Sequence, residues 1–172
     1  MKQAIVLTGL SFTYTSYGGR PTKPVFSHMD LAVPTGAKAL LLGPPDSGKS
    51  TLARILCALT PKYLEGTLTG DCMVLGRPVE SYAPWDLTDA CTLIGQNPQE
   101  QLLMTTCSDE IAFPLESLGY TRAAMHDRVD KALSAWGLQH VAEANPQELS
   151  GGERKRLLIA VADAVDAPLW IL

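Results

Sequence analysis

No apolar stretch in this sequence is long and charge-free enough for a membrane-spanning helix, which needs about 20 residues. Its opening, MKQAIVLTGLSFTY, also lacks the apolar run of a secretory signal. These absences point to the cytosol and leave docking on a membrane partner open. Basic charge is not in excess: 14 Lys plus Arg stand against 18 Asp plus Glu, a net charge of -4. That balance excludes a chain-wide footprint for duplex nucleic acid, so any phosphate binding has to be local. There is no CxxC pair, and Cys57, Cys72, Cys91 and Cys107 have no metal-like spacing with the three histidines. They read as buried reduced thiols, not as a disulfide framework. Internal repeats and low-complexity tracts are absent too. What remains, at 46% hydrophobic and 19% charged over 172 residues, is a chain able to bury one core.

The first third reads as strands and turns. AIVLTGLSFTYT is rich in β-branched and aromatic residues, YGGRPTKP is a loop, and VFSHMDLAV alternates before a Pro34-Thr35-Gly36 turn. KALLLG (38–43) is expected as a short buried strand leading into GPPDSGKST. TLARILCAL then carries helical spacing at Leu52, Ile55, Leu56 and Leu59 until Pro61. Strands follow at GTLTG and CMVLG, and CTLIG delivers Gln96 into the polar segment QNPQEQLLMTT. Ser108 is expected to cap one helix. Thr121 caps a second whose Met125, Val129, Ala132 and Trp136 share a face before Gly137. A third helix opens at LSGGE, and LWIL (169–172) has the apolar character of a strand buried on both faces.

Gly43 to Ser50, GPPDSGKS, satisfies GxxxxGK[ST] between a predicted strand and a predicted helix. That is a phosphate cradle. Backbone N–H groups near Gly48, Lys49, Ser50 and Thr51 point at phosphate oxygens at the positive end of the helix. The Lys49 ammonium reaches the β and γ phosphates, and the Ser50 hydroxyl ligates Mg²⁺. Two residues work against affinity: Pro45 removes a backbone donor, and Asp46 sets a carboxylate beside the polyphosphate. A P-loop alone fits kinases, GTPases, helicases and many other NTPases. The discriminating piece is Leu149 to Glu153, where Ser150, Gly151 and Gly152 open a helix and make a second anion-binding N-terminus.

Together with Lys49, that LSGGE segment resembles the signature of ATP-binding-cassette ATPases, and the resemblance runs over essentially the whole chain. GQNPQEQLL followed by DEIAFPLESLG is similar to the energy-coupling-factor branch, whose ATPases drive prokaryotic uptake of vitamins and metal ions. The resemblance implies ATP and Mg²⁺ as ligands. It also implies Gln96 as the glutamine that contacts Mg²⁺ and the attacking water, and Tyr14 as the aromatic stacked on adenine, with Tyr17 the neighbouring candidate. Two cassettes face each other head to tail in that family, so Leu149, Ser150, Gly151, Gly152 and Glu153 act in trans on the ATP of a partner cassette. A transmembrane coupling subunit and a substrate-binding membrane subunit complete the assembly at the cytoplasmic face of the membrane, with no nucleic acid involved. Glu153 stands where the family more often has glutamine and adds a negative charge near a phosphate-binding helix end. Arg154, Lys155 and Arg156 read as a solvated helix face, and His28, His126 and His140 as surface or packing residues.

The expected fold is α/β: a P-loop NTPase with a RecA-like parallel sheet core, an antiparallel β subdomain and a helical signature subdomain, incomplete at its C-terminus. Its parts are 1–95 (β subdomain and P-loop core), 96–150 (Q-loop and helical subdomain) and 151–172 (signature helix and the start of a further strand). LWIL resembles the first half of the family's Walker B strand, which the aspartate for Mg²⁺ and the glutamate for the attacking water follow at once. The expectation is therefore a transport ATPase for the full-length product, and negligible hydrolysis by a chain that stops at Leu172. Two rivals stay open. One is a degenerate cassette that binds nucleotide or completes a partner's site without turnover. The other is a non-transport cassette acting on nucleic acid or ribosomes, which the acidic balance disfavours.

Overall fold

The structure, a computed structural model, describes residues 2–15, 23–61, 65–83 and 86–172. The chain divides into two compact units, Met1–Leu87 and Thr88–Leu172.

In the first unit, β1 (Gln3–Tyr14) lies between β2 (Phe26–Pro34) and β3 (Gly66–Val74), with β4 (Arg77–Pro78) outside β3, all antiparallel. Alternation along β1 turns Ile5, Leu7, Leu10 and Phe12 inward, where all four are buried. The register of β1 slips against both neighbours around Gly9. At that bulge Asp30 Oδ1 accepts the Gly9 N–H at 2.7 Å, and Ser11 Oγ accepts the N–H of His28 at 2.9 Å, so the displaced backbone groups keep partners. Gly70, at φ +85°, lies opposite; a Cβ there would run into the carbonyl of Gly9. Helix α1 (Lys49–Leu56) follows β2 and buries Thr51, Leu52, Ile55 and Leu56, the stripe that its leucine and isoleucine spacing predicts.

One expectation fails here. Residues 38–43 form no strand, and Leu40, Leu41 and Leu42 are 82%, 51% and 80% exposed. A strand apolar on both faces needs ladder partners at its edges and cover on its faces. Among the described residues of this unit, the sheet is β2-β1-β3-β4 and provides neither for this segment.

The second unit is mainly helical. After α2 (Asp86–Ala90), β5 (Cys91–Leu93) pairs in parallel with β6 (Leu169–Ile171), and the Ile94 N–H extends the ladder to the carbonyl of Ile171 at 2.8 Å. This two-stranded ladder is the parallel sheet of the described residues. Trp170 is 36% exposed, so β6 is not buried on both faces as LWIL suggested; its indole N–H donates to the Ala167 carbonyl at 2.8 Å. Helices α3 (Cys107–Ser117), α4 (Arg122–Ala135) and α5 (Gly151–Val165) close around Ile111, Leu115, Leu133, Leu138 and Leu157. The predicted face of α4 is the one that packs: Val129 and Ala132 are buried, with Met125 and Trp136 against them.

The cap of α3 differs from the sequence reading. Thr106, not Ser108, accepts the Asp109 N–H, at 3.0 Å, while the Ser108 hydroxyl donates to the carbonyl of Ala142 at 3.0 Å. Both residues are competent caps, and the tertiary partner at Ala142 decides between them. Thr121 caps α4 as expected.

Replacing Gly70 by alanine is expected to destabilise the protein by about 2 kcal/mol, since the positive φ is strained for any side chain and the obstructing atoms are backbone. The shift of the urea unfolding midpoint measures it.

Candidate functional site

The first cluster belongs to the first unit. Between residues 43 and 48 the backbone turns through two left-handed positions, Asp46 at φ +60° and Gly48 at φ +89°. Aspartate is among the few residues that tolerate such a conformation. Glycine is required at 48 because a Cβ would lie 2.6 Å from Val25 Cγ1 and 3.3 Å from Phe26 Cδ1. At Gly43 a Cβ would lie 2.7 Å from Ser47 Oγ. The loop is thus drawn tight against the start of β2.

Lys49 lies back over this loop. Its ammonium donates to the carbonyls of Gly43 at 2.9 Å and Pro44 at 2.7 Å, and to Ser47 Oγ at 3.3 Å, so its three donors converge on the loop interior. No side chain caps α1 at Gly48, and the first intrahelical bond runs from the Leu52 N–H to the Gly48 carbonyl at 2.8 Å. The N–H groups of Lys49, Ser50 and Thr51 precede that bond and sit at the positive end of the helix. Tyr14 reaches the same turn: its hydroxyl is 3.0 Å from Thr51 Oγ1, and its ring meets Phe12 edge-on at 4.8 Å. Tyr14, Gly43, Ser47, Gly48, Lys49, Ser50 and Thr51 are therefore gathered around one helix start. Tyr17 lies outside the described residues.

The donor set fits a polyphosphate: one flexible ammonium, bare amides and no Cβ at Gly43 or Gly48. It also fits Mg²⁺ in a limited way. Among the described residues no group of three or more His, Cys, Asp or Glu is arranged to hold a metal. A cation beside the Ser50 hydroxyl would therefore be held by neutral side-chain oxygens, phosphate oxygens and water, the usual habit of Mg²⁺.

The second unit holds the remaining predicted residues. Gln96 is exposed in a bend after β5. Sequence reasoning missed the residue that shapes this bend. Gln101 donates Nε2–H to the Leu93 carbonyl at 2.9 Å and accepts the Gly95 N–H on Oε1 at 2.7 Å, clamping the chain on the N-terminal side of Gln96. Glu110 is also structural: it is buried, and its Oε2 accepts the N–H groups of Leu103 at 2.8 Å and Met104 at 2.7 Å. Nothing in QNPQEQ distinguishes one glutamine from another before the fold is known.

At the start of α5, Leu149 is buried and Ser150 is the N-cap. The Ser150 hydroxyl donates to Glu153 Oε2 at 2.6 Å, the Ser150 N–H donates to the same oxygen at 2.9 Å, and Ser150 Oγ accepts the Glu153 N–H at 3.3 Å, a complete capping box. These hydrogen bonds from Ser150 hold the Glu153 carboxyl below the usual carboxylate range, with a smaller contribution from His140, whose Nε2 is 3.4 Å from Oε1. Gly151 and Gly152 face solvent. A Cβ at Gly151 would meet nothing within 4 Å, and at Gly152 only Arg156 Nη1 at 4.0 Å. Internal packing gives no reason for glycine at either position, although glycine weakens a helix relative to alanine. The four cysteines are buried, and burial pushes Cys72 up to about 12 and Cys107 up to about 11, so neither of these two is a nucleophile.

Two outcomes are expected at this cap. Ser150→Ala lowers stability by about 1 kcal/mol, the cost of an N-cap, read as a drop in thermal midpoint. Because Glu153 titrates lower in the folded chain than in the unfolded one, its contribution is present above the ordinary carboxylate pKa and disappears as pH falls through the depressed value. Glu153→Gln should remove that component from a series of thermal midpoints measured at falling pH.

Comparison with known proteins places this geometry in context. The family model described as ABC transporter matches residues 26–172. The energy-coupling factor transporter ATP-binding protein EcfA1 of Halalkalibacterium halodurans is 31% identical over 166 residues, covering 96% of this chain and 57% of that protein. The chain spans from about a quarter to somewhat over half the length of the first curated relatives, 24% in one and 57% in another. Among solved structures, cbiO1 from Clostridium perfringens, part of the ABC transporter complex cbiONQ, superposes with a TM-score of 0.79 at 20% identity, covering 99% of this chain and 64% of that one. An ATP-binding cassette solved as a dimer in a post-hydrolysis state, bound to ADP and Pi, gives 0.80 at 23% identity, covering 96% and 72%. At these identities the two structures show a shared fold, that of P-loop ATPase cassettes.

Proposed function

The chain belongs to the ABC transporter family, and from that premise we propose that it is the ATP-binding part of a subunit that hydrolyses ATP to drive uptake of a vitamin or metal ion through an energy-coupling-factor transporter. The observation that carries this reading is the Lys49 ammonium folded over Gly43, Pro44 and Ser47 beside the uncapped first turn of α1. A β,γ-phosphate presents the acceptors those three donors need and the negative charge that end of the helix favours. The curated relative named as an energy-coupling factor ATP-binding protein supports the finer assignment.

In this proposal Lys49 leaves its loop carbonyls for the phosphate oxygens, which costs little because one set of oxygen acceptors replaces another. Amides from Gly48 to Thr51 orient the phosphates, and Tyr14 offers its ring to adenine while its hydroxyl stays tied to Thr51. Ser50 would be the first unit's residue for Mg²⁺, which would offset the negative charge of the phosphate oxygens, and Gln96 keeps in this proposal only the role that the family resemblance implies for it. Phosphoryl transfer depends mainly on such positioning and electrostatics. Ser150, Gly151 and Gly152 contact the γ-phosphate held by a second cassette. The lack of any internal packing role for the two glycines supports approach by a ligand from outside. The other partners are a membrane coupling subunit and a substrate-binding membrane subunit at the cytoplasmic face of a prokaryotic membrane. No helix among the described residues is long and apolar enough to cross a membrane.

A second reading, a cassette that binds nucleotide without turnover, draws support from the Asp46 carboxylate on the loop and from Glu153, which already holds the Ser150 hydroxyl. Mg-ATP binding and turnover by the full-length gene product, with its membrane partners, separates the two. Lys49→Ala is expected to weaken ATP binding roughly ten- to a hundredfold, the worth of charge-assisted hydrogen bonds, and to reduce turnover to background. Tight binding with no turnover by the unmodified assembly selects the second reading. ATP affinity unaffected by Lys49→Ala overturns both.

A further inference from the structure

His140, the one histidine of the chain in an ion-pair contact among the described residues, meets the signature helix through Glu153. A serine hydroxyl has a single proton to donate, and that of Ser150 is committed to Glu153 Oε2 at 2.6 Å, within the range of a charge-assisted O–H···O⁻ bond. The Ser150 N–H is committed to the same oxygen, and Ser150 Oγ accepts the Glu153 N–H. Oε1 faces His140 Nε2 at 3.4 Å, so each carboxylate oxygen has a polar neighbour. Its charge sits at the positive end of a 15-residue helix, the place a phosphate would take.

We propose that Glu153, held in place by His140, is an internal latch on the signature serine, which a partner's γ-phosphate has to displace before Ser150 can donate to it. The latch rests on the reading of Ser150 as a phosphate contact. In this scheme Glu153 competes with the phosphate for one proton, and His140 is a positioning residue that acts only through Glu153. Glutamine at 153 keeps an acceptor for the helix cap and removes the charge, so it separates the latch from the fold.

The test is steady-state ATP hydrolysis by the full-length cassette in its assembled transporter, with KM for ATP and kcat resolved. Glu153→Gln should lower KM by about two- to fivefold, the size of a charge effect at a helix end, with a much smaller change in kcat. His140→Ala should lower KM in the same direction by a smaller factor, and His140→Gln, which retains a side-chain N–H donor, should restore the unmodified value. In the Glu153→Gln background His140→Ala should have no further effect, because coupled residues are not additive. An unchanged or raised KM in Glu153→Gln overturns the latch, as does a His140→Ala effect that persists when Glu153 is already glutamine. Ser150→Ala separates this failure from a deeper one: turnover unaffected by its loss overturns the assignment of Ser150 to phosphate itself.

Discussion

An α-helix begins with backbone N–H groups that its own turns cannot satisfy, and the two helix starts of this chain answer that constraint in opposite ways. At α1 the cap is a glycine in a left-handed conformation with no side-chain acceptor to offer, so the amides of Lys49, Ser50 and Thr51 stay available. At α5 a complete capping box takes up the N–H groups of Ser150 and Glu153 from within. The first start leaves its amides without a side-chain cap. The second already contains an anion, the Glu153 carboxylate.

The rest of each unit can be understood as support for these helix starts. The bulged antiparallel sheet brings Tyr14 at the end of β1 to Thr51 and sets Val25 and Phe26 against Gly48, so the loop has no room for a larger residue. In the helical unit, Gln101 ties down the chain before Gln96, and Glu110 ties down the chain after it, each through two hydrogen bonds to backbone. Arg128 joins α4 to the C-terminal end of α5, its guanidinium donating to the Ala164 carbonyl at 2.6 Å while stacking on Tyr120. In the helical unit, each of these three contacts sets a polar side chain on backbone groups.

Much of the candidate site was legible in the sequence because its chemistry is local. GxxxxGK[ST] works through adjacent amides and one lysine; Ser-x-x-Glu at 150–153 is a cap whose partners are three residues apart; and the apolar stripe of α4 follows from a 3.6-residue period. Where the reading failed, the deciding contact was distant. KALLLG has the composition of a buried strand, yet apolar character becomes a strand only with ladder partners, and those depend on residues elsewhere in the chain. Thr106 displaced Ser108 as a cap because Ala142, 34 residues from Ser108, claims the Ser108 hydroxyl.

The sequence by itself determined the family, the positions of the two glycine-rich helix starts and the residues that line them, since propensity, capping and spacing act over one or two turns of chain. Tertiary structure alone decided which glutamine braces the bend at Gln96, that Lys49 turns back onto its own loop, and that His140 faces the Glu153 carboxylate bonded to Ser150. Those outcomes depend on where side chains point and on which groups from distant segments compete for the same hydrogen bond. Neither is encoded in any short window of sequence.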